Sequence, residues 1–113
     1  MCGITGIIVF QKEYLHLLRN IDHATDTLQQ RGPDGRGTYL NNNLALGQRR
    51  LSIIDTSSLG AQPMFDDQKR YSIVFNGEFF NYRDHIQELV NDGVNFISHT
   101  DTEVLLYLLI KYG

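Results

Sequence analysis

The sequence predicts an α+β fold in which helices pack on antiparallel sheet. Three observations carry that prediction. Gly3 to Phe10 and Tyr71 to Phe75 are short apolar runs rich in β-branched and aromatic residues, the composition of buried strands. Between them Leu15, Leu18, Ile21, Ala24, Thr25 and Leu28 recur at helical spacing. Strands that are adjacent in sequence are joined by short polar turns, which forces neighbours to run antiparallel.

Taken in order, the first strand is Gly3 to Phe10. The helix is expected from Glu13 to Gln30, ended by Gly32-Pro33. Arg31-Gly32-Pro33-Asp34-Gly35 is then a tight loop. Thr38 to Leu40 and Leu44 to Gln48 flank Asn41-Asn42-Asn43 and read as a β-hairpin. Leu51 to Ile54 reads as a further short strand, and Asp55 to Met64, which holds Gly60 and Pro63, as a loop. Tyr71 to Phe75 runs directly into Asn76-Gly77. A helix over Tyr82 to Asn91 places Ile86, Leu89 and Val90 on one face and stops at Gly93. Phe96-Ile97 reads as a short strand. Thr100 and Glu103 have the spacing of a capping box at the start of a final helix.

At 113 residues the chain allows one domain at most. Its 42% hydrophobic and 20% charged residues are those of a globular protein. The net charge is −3 and no basic cluster is present, so nucleic acid is not an expected partner. No apolar run is long enough to span a membrane. The N-terminus lacks the pattern of a signal peptide, so a cytoplasmic location is expected. With one cysteine there is no intrachain disulfide and no cysteine zinc site. His16, His23, His85 and His99 are scattered without ligand spacing, and no metal is expected.

Four places could carry chemistry. Cys2 follows the initiator Met. Removal of Met1 gives one residue both a thiol nucleophile and a free α-amine, whose pKa near ~7.7–8.0 suits a general base. A cysteine can also stand second by accident. Asn76-Gly77 is either a hairpin turn or a pair of donors, side-chain amide and backbone N–H, for a developing oxyanion. Arg49-Arg50 is either a solvated strand end or a planar fork for a carboxylate. Asp101 either favours the helix N-terminus or holds a substrate ammonium group. As a set, these parts describe an amino-acid substrate with a side-chain amide.

Several motifs in order extend the set. They are Met1-Cys2-Gly3-Ile4, Arg31-Gly32-Pro33-Asp34-Gly35, Gly47-Gln48-Arg49-Arg50-Leu51-Ser52-Ile53-Ile54-Asp55, Gln62-Pro63-Met64, Asn76-Gly77-Glu78 and Thr100-Asp101-Thr102-Glu103. Together they resemble the class II, N-terminal-nucleophile glutamine amidotransferase domain of glutamine-hydrolysing asparagine synthetases, over the whole chain. The resemblance implies a four-layer α-β-β-α sandwich with mostly antiparallel sheets. It implies that Cys2 forms a thioester with glutamine, that Asn76 and Gly77 make the oxyanion hole, and that Arg50 binds the α-carboxylate. Leu51, Ser52, Ile53 and Ile54 would line the site through their backbone, and Glu78 and Asp101 would hold the α-amine. The ammonia would pass to a synthetase domain for asparagine synthesis. Another acceptor, such as a sugar in surface-polysaccharide synthesis, stays open.

Gln48 stands where many relatives carry His, and Phe79-Phe80 where Ile-Tyr is common; neither departure falls on a residue with an assigned role. The resemblance further implies that the family domain continues beyond Gly113. Residues 1–113 are then its N-terminal portion, expected to be inactive in isolation and either to self-associate through the apolar helix at Thr102 to Lys111 and nearby strand edges or to fold poorly. No cofactor is expected in this chain, which has no phosphate-binding loop; ATP and Mg belong to the synthetase domain.

Overall fold

Strand pairing sets the frame. In the computed structural model, which describes residues 2–52 and 57–113, β3 (Leu44–Arg50) lies between β1 (Gly3–Ile8) and β2 (Gly35–Asn41), antiparallel to both. The β2–β3 hairpin turns at Asn42-Asn43, where Asn42 takes a positive φ of 51°, a conformation that asparagine tolerates. In the ladder Gly3 faces Arg49 and Gly37 faces Gln48, so opposed residues point to the same side of the sheet.

One side of this sheet carries α1 (Ile21–Asp26). Val9, Leu18, Ile21 and Ala45 form a buried cluster there, with Ile7 packed against it. Gly47 is required at this contact, because a Cβ would run into the Thr25 hydroxyl. Arg36 ties β2 to α1 through Asp26 at 2.7 Å and Asp22 at 3.0 Å. The opposite side of the sheet faces a two-stranded sheet, β4 (Met64–Phe65) with β5 (Ser72–Ile73). The two sheets approach so closely that a Cβ on Gly37 would meet the Gln62 carbonyl, and Tyr39 packs edge-on against Phe65 at 4.8 Å.

Beyond the second sheet lies α3 (Asp101–Tyr112), in contact with β4 and β5. The layers therefore run helix, sheet, sheet, helix, as the sandwich reading requires. α2 (Ile86–Asn91) packs beside α3 and ends at Gly93, whose φ of +96° closes the helix. Along α3, Val104 and Leu106 are buried, Leu105, Tyr107, Leu108 and Ile110 are half-buried, and Leu109 is exposed. No helix among the described residues is long and apolar enough to cross a membrane.

Several elements differ from expectation. The long first helix is a 3₁₀ helix over Lys12–Asn20 that becomes α-helical only over Ile21–Asp26. His16, Arg19, Thr25 and Thr27 each turn a side chain back onto a nearby carbonyl, which loosens the regular ladder. Tyr82–His85 is likewise 3₁₀ before α2 begins. Met64, placed in a loop by the sequence, starts β4, and the Tyr71 to Phe75 run contributes only Ser72–Ile73 as strand. Phe96-Ile97 is not a strand, because the Ile97 and Ser98 N–H groups donate to the Glu103 carboxylate at 3.0 and 2.8 Å. That carboxylate therefore closes the loop before α3, while Thr100 accepts the Glu103 N–H at 3.3 Å as the N-cap. Of the expected strand at Leu51 to Ile54, Leu51 and Ser52 are irregular and Ile53 and Ile54 lie outside the described residues.

Candidate active site

Gly3 packs against Leu28 on the α1 side of the sheet, so alternation turns Cys2 toward the second sheet. The Cys2 thiol is half-buried and held by Leu51: the Leu51 N–H donates to Sγ at 3.2 Å, and Sγ–H reaches the Leu51 carbonyl at 3.6 Å. The same alternation separates the two arginines. Arg49 points to the α1 side, where its Nε donates to the Gly32 carbonyl at 3.0 Å. Arg50 points to the Cys2 side. Its Nη1 donates to the Ser57 carbonyl at 2.7 Å, and its guanidinium lies over buried Gly60, where any Cβ would collide with Nη2.

A cavity of about 300 Å³ opens between the sheets, at the lower end of the range for small-molecule sites. Cys2, Arg50, Leu51, Gly77, Glu78 and Asp101 all line it. Asp101 is buried at the first turn of α3. Its Oδ2 accepts the Phe79 N–H at 2.9 Å, and the Thr102 hydroxyl reaches its Oδ1 only at 3.5 Å, so that second oxygen keeps capacity for a cation. Asn76 is half-buried beside Gly77 but is not among the lining residues. Ser52 lines a neighbouring cavity that also touches Arg50, and Ile53 and Ile54 lie outside the described residues.

The Arg31 to Gly35 loop acts as a bracket for this site. Arg31 Nε donates to the Cys2 carbonyl at 3.3 Å. Gly32 sits against the Arg49-Arg50 backbone with no room for a side chain. The Asp34 N–H donates to the Arg50 carbonyl, and the Asp34 carboxylate accepts the Ser52 N–H, both at 2.9 Å. One five-residue loop thus fixes the nucleophile candidate and the carboxylate-binding candidate relative to each other.

Sequence reasoning left several lining residues without a role. Gln48, Phe79 and Phe80, noted only as departures from the family pattern, all line the cavity. Gln48 is 1% exposed and its Nε2 has no hydrogen-bond partner among the described residues. An unpaired buried donor costs about 1–3 kcal/mol, so an acceptor in the cavity would relieve it. Gln62 and Thr102 also line the cavity, within motifs that carried the family resemblance but gave these two residues no role.

The whole chain, residues 1–113, matches the family model described as a glutamine amidotransferase domain. It is 39% identical to the glutamine-hydrolysing asparagine synthetase 3 of Bacillus subtilis (strain 168), over 99% of this chain and 18% of that protein. It is 32% identical to asparagine synthetase B, glutamine-hydrolysing, of Escherichia coli (strain K12), over 100% of this chain and 20% of that one. A relative named amidase chry2, from Gibberella zeae, is 33% identical over 100% of this chain and 18% of its own length. The chain thus spans about a fifth of the length of these curated relatives.

Proposed function

The chain belongs to the glutamine amidotransferase domain family, and from that membership we propose that it hydrolyses glutamine to glutamate and ammonia through a thioester on Cys2. The observation that carries the reading is the cavity, which collects Cys2, Arg50, Gly77 and Asp101 from distant parts of the chain around one space.

The reaction starts once Met1 is removed and the Cys2 α-amine is free. The amine takes the thiol proton, and the thiolate attacks the carboxamide carbon of glutamine. The amide oxygen becomes an oxyanion, which accepts from the Gly77 N–H and, once it turns toward the cavity that it does not line in this structure, from the Asn76 side chain. As the tetrahedral adduct collapses, the C–N bond breaks and the ammonium at Cys2 returns its proton to the departing nitrogen. Ammonia leaves a Cys2 thioester. The α-amine takes a proton from the water that attacks that thioester, the thiolate leaves and regains that proton, and glutamate is released. Arg50 holds the α-carboxylate by its two-pronged face, and Asp101 with Glu78 holds the α-ammonium.

In this reading residues 1–113 are the N-terminal portion of the amidotransferase domain. The ammonia serves an ATP-dependent synthetase domain that makes asparagine, as the names of two relatives suggest. ATP and Mg act in that domain and not on this chain. The test is Cys2→Ala in the intact protein. Glutamate release is expected to fall to background while synthesis from added ammonia continues. Full glutamine hydrolysis by Cys2→Ala would remove Cys2 from the mechanism.

A further inference from the structure

The turn that bears Asn76 and Gly77 has little regular structure of its own. Between the end of β5 at Ile73 and the 3₁₀ helix at Tyr82 there is no strand ladder. Two of its N–H groups are instead taken by side chains from elsewhere. The Phe75 N–H donates to Gln62 Oε1 at 2.6 Å, and the Phe79 N–H donates to Asp101 Oδ2 at 2.9 Å. The two clamps flank Asn76, Gly77 and Glu78 on either side. They also share an anchor, because Gln62 Nε2 donates at 3.2 Å to the hydroxyl of Thr102, the residue after Asp101 in the first turn of α3.

We infer that Gln62 is a positioning residue for glutamine hydrolysis: its carboxamide fixes the Asn76-Gly77 turn relative to the N-terminus of α3. The inference rests on the oxyanion role proposed above for that turn. Gln62 is 8% exposed and is seated where the first sheet presses Gly37 against its carbonyl, so its own backbone has little freedom. The amide's orientation follows from its partners. Phe75 offers a donor, so the oxygen must face it, and the nitrogen is left for the Thr102 oxygen. A carboxamide supplies one acceptor and one donor at this separation; no aliphatic residue supplies either. The ring of Phe75 in turn lies against Gly77, where an added Cβ would approach it to 2.9 Å. Holding Phe75 therefore holds the backbone that presents the Gly77 N–H. Arg50, which grips the ground-state substrate, is anchored by the Ser57 carbonyl, and Asp101 meets the turn at Phe79, on the far side of Gly77 from the Gln62 clamp.

The test compares wild type, Gln62→Met and Thr102→Val in the intact protein. Met keeps the length of Gln and removes both bonds; Val keeps the shape of Thr and removes the anchor together with the longer 3.5 Å hydroxyl contact to Asp101 Oδ1. Two inhibitors separate the states. L-Glutamate reports ground-state binding. The γ-aldehyde analogue of glutamate adds the thiol reversibly and places an oxyanion where the reaction does. Gln62→Met is expected to lower kcat on the order of 100-fold while KM for glutamine stays within about threefold. Inhibition by the aldehyde should weaken in parallel with kcat, and inhibition by glutamate should not. Thr102→Val should move the same two quantities in the same direction by less. Wild-type kcat and aldehyde affinity in both variants would overturn the inference, as would equal loss of aldehyde and glutamate affinity, which marks general damage to the pocket. A wild type that neither hydrolyses glutamine nor binds the aldehyde would overturn the nucleophile reading, and this inference with it.

Discussion

At the scale of single residues, the strand alternation decides which side chains meet. Arg49 and Arg50 are indistinguishable as a dipeptide, yet one grips the Gly32 carbonyl and the other faces the Cys2 cavity. Arg50→Lys keeps the charge and loses the fork, so glutamine KM should rise roughly tenfold, the equivalent of one charged hydrogen bond at about 1.5–3 kcal/mol. Gly60→Ala should raise KM in the same direction without touching any charge, because the new methyl displaces the Arg50 guanidinium. Steady-state glutamate release checks both; an unchanged KM in the pair would mean that the carboxylate is held elsewhere. Cys2, Arg50, Gly77 and Asp101 were singled out by residue type and position and Glu78 by the family resemblance alone, and the fold brings all five to one cavity. Gln48 and Gln62 were not, since a lone glutamine carries no periodicity or charge signal. Their importance comes from burial and from partners 13 and 40 residues away in the case of Gln62.

At the scale of elements, strong local signals held and tertiary competition broke the others. The Asn42-Asn43 hairpin, the Gly93 stop and the Thr100 cap formed where the sequence put them, because each depends on adjacent residues. The helix expected over Glu13 to Gln30 was shortened by side chains that bond their own backbone, and Phe96-Ile97 lost its strand to the Glu103 carboxylate. The α2–α3 junction carries a testable charge network. Glu88 accepts from the Tyr112 hydroxyl at 2.7 Å and from Lys111 at 3.0 Å, and it meets His85 Nδ1 at 3.1 Å; Lys111 also binds Asp92 at 2.6 Å. The Tyr112 hydrogen bond first, then those from Lys111 and His85, pull the Glu88 carboxyl down from its ordinary 4.5 to about 2. A carboxyl held low in the fold stabilises it fully above its unfolded value and loses that contribution as pH falls through the folded one. Glu88→Gln should therefore unfold at lower temperature than wild type above about pH 4.5, and the gap should close toward pH 2. Melting curves across that window check it; a gap independent of pH would show that the carboxylate's charge is not what matters.

At the scale of the molecule, the four layers leave the cavity between the two sheets, lined by the end of β3 on one side and the start of α3 on the other. The α+β class was legible from periodicity, but the pairing of β4 with β5 was not, since each contributes two residues. Much apolar surface is left outward. Phe10 is 90% exposed, Phe80 87% and Ile97 64%, and the Ile8 side chain on β1 is 59% exposed. The Thr102 to Lys111 helix, expected to carry association, is largely covered and of its apolar run exposes Leu109; it is the surface around these other residues that favours association, so residues 1–113 produced by themselves are expected to self-associate. Light scattering after size exclusion, over a dilution series, should give a mass above that of one chain; a monomer at every concentration would contradict this.

The central claim is that Cys2, with a free α-amine, is the nucleophile. A diazoketone analogue of glutamine alkylates the thiol that would attack the substrate, and peptide mass spectrometry then locates the label. The account predicts one adduct, on an N-terminal peptide that begins at Cys2 without Met1, and protection of that site by added glutamine. An adduct on another residue, or inactivation of a protein that still carries Met1, would contradict it.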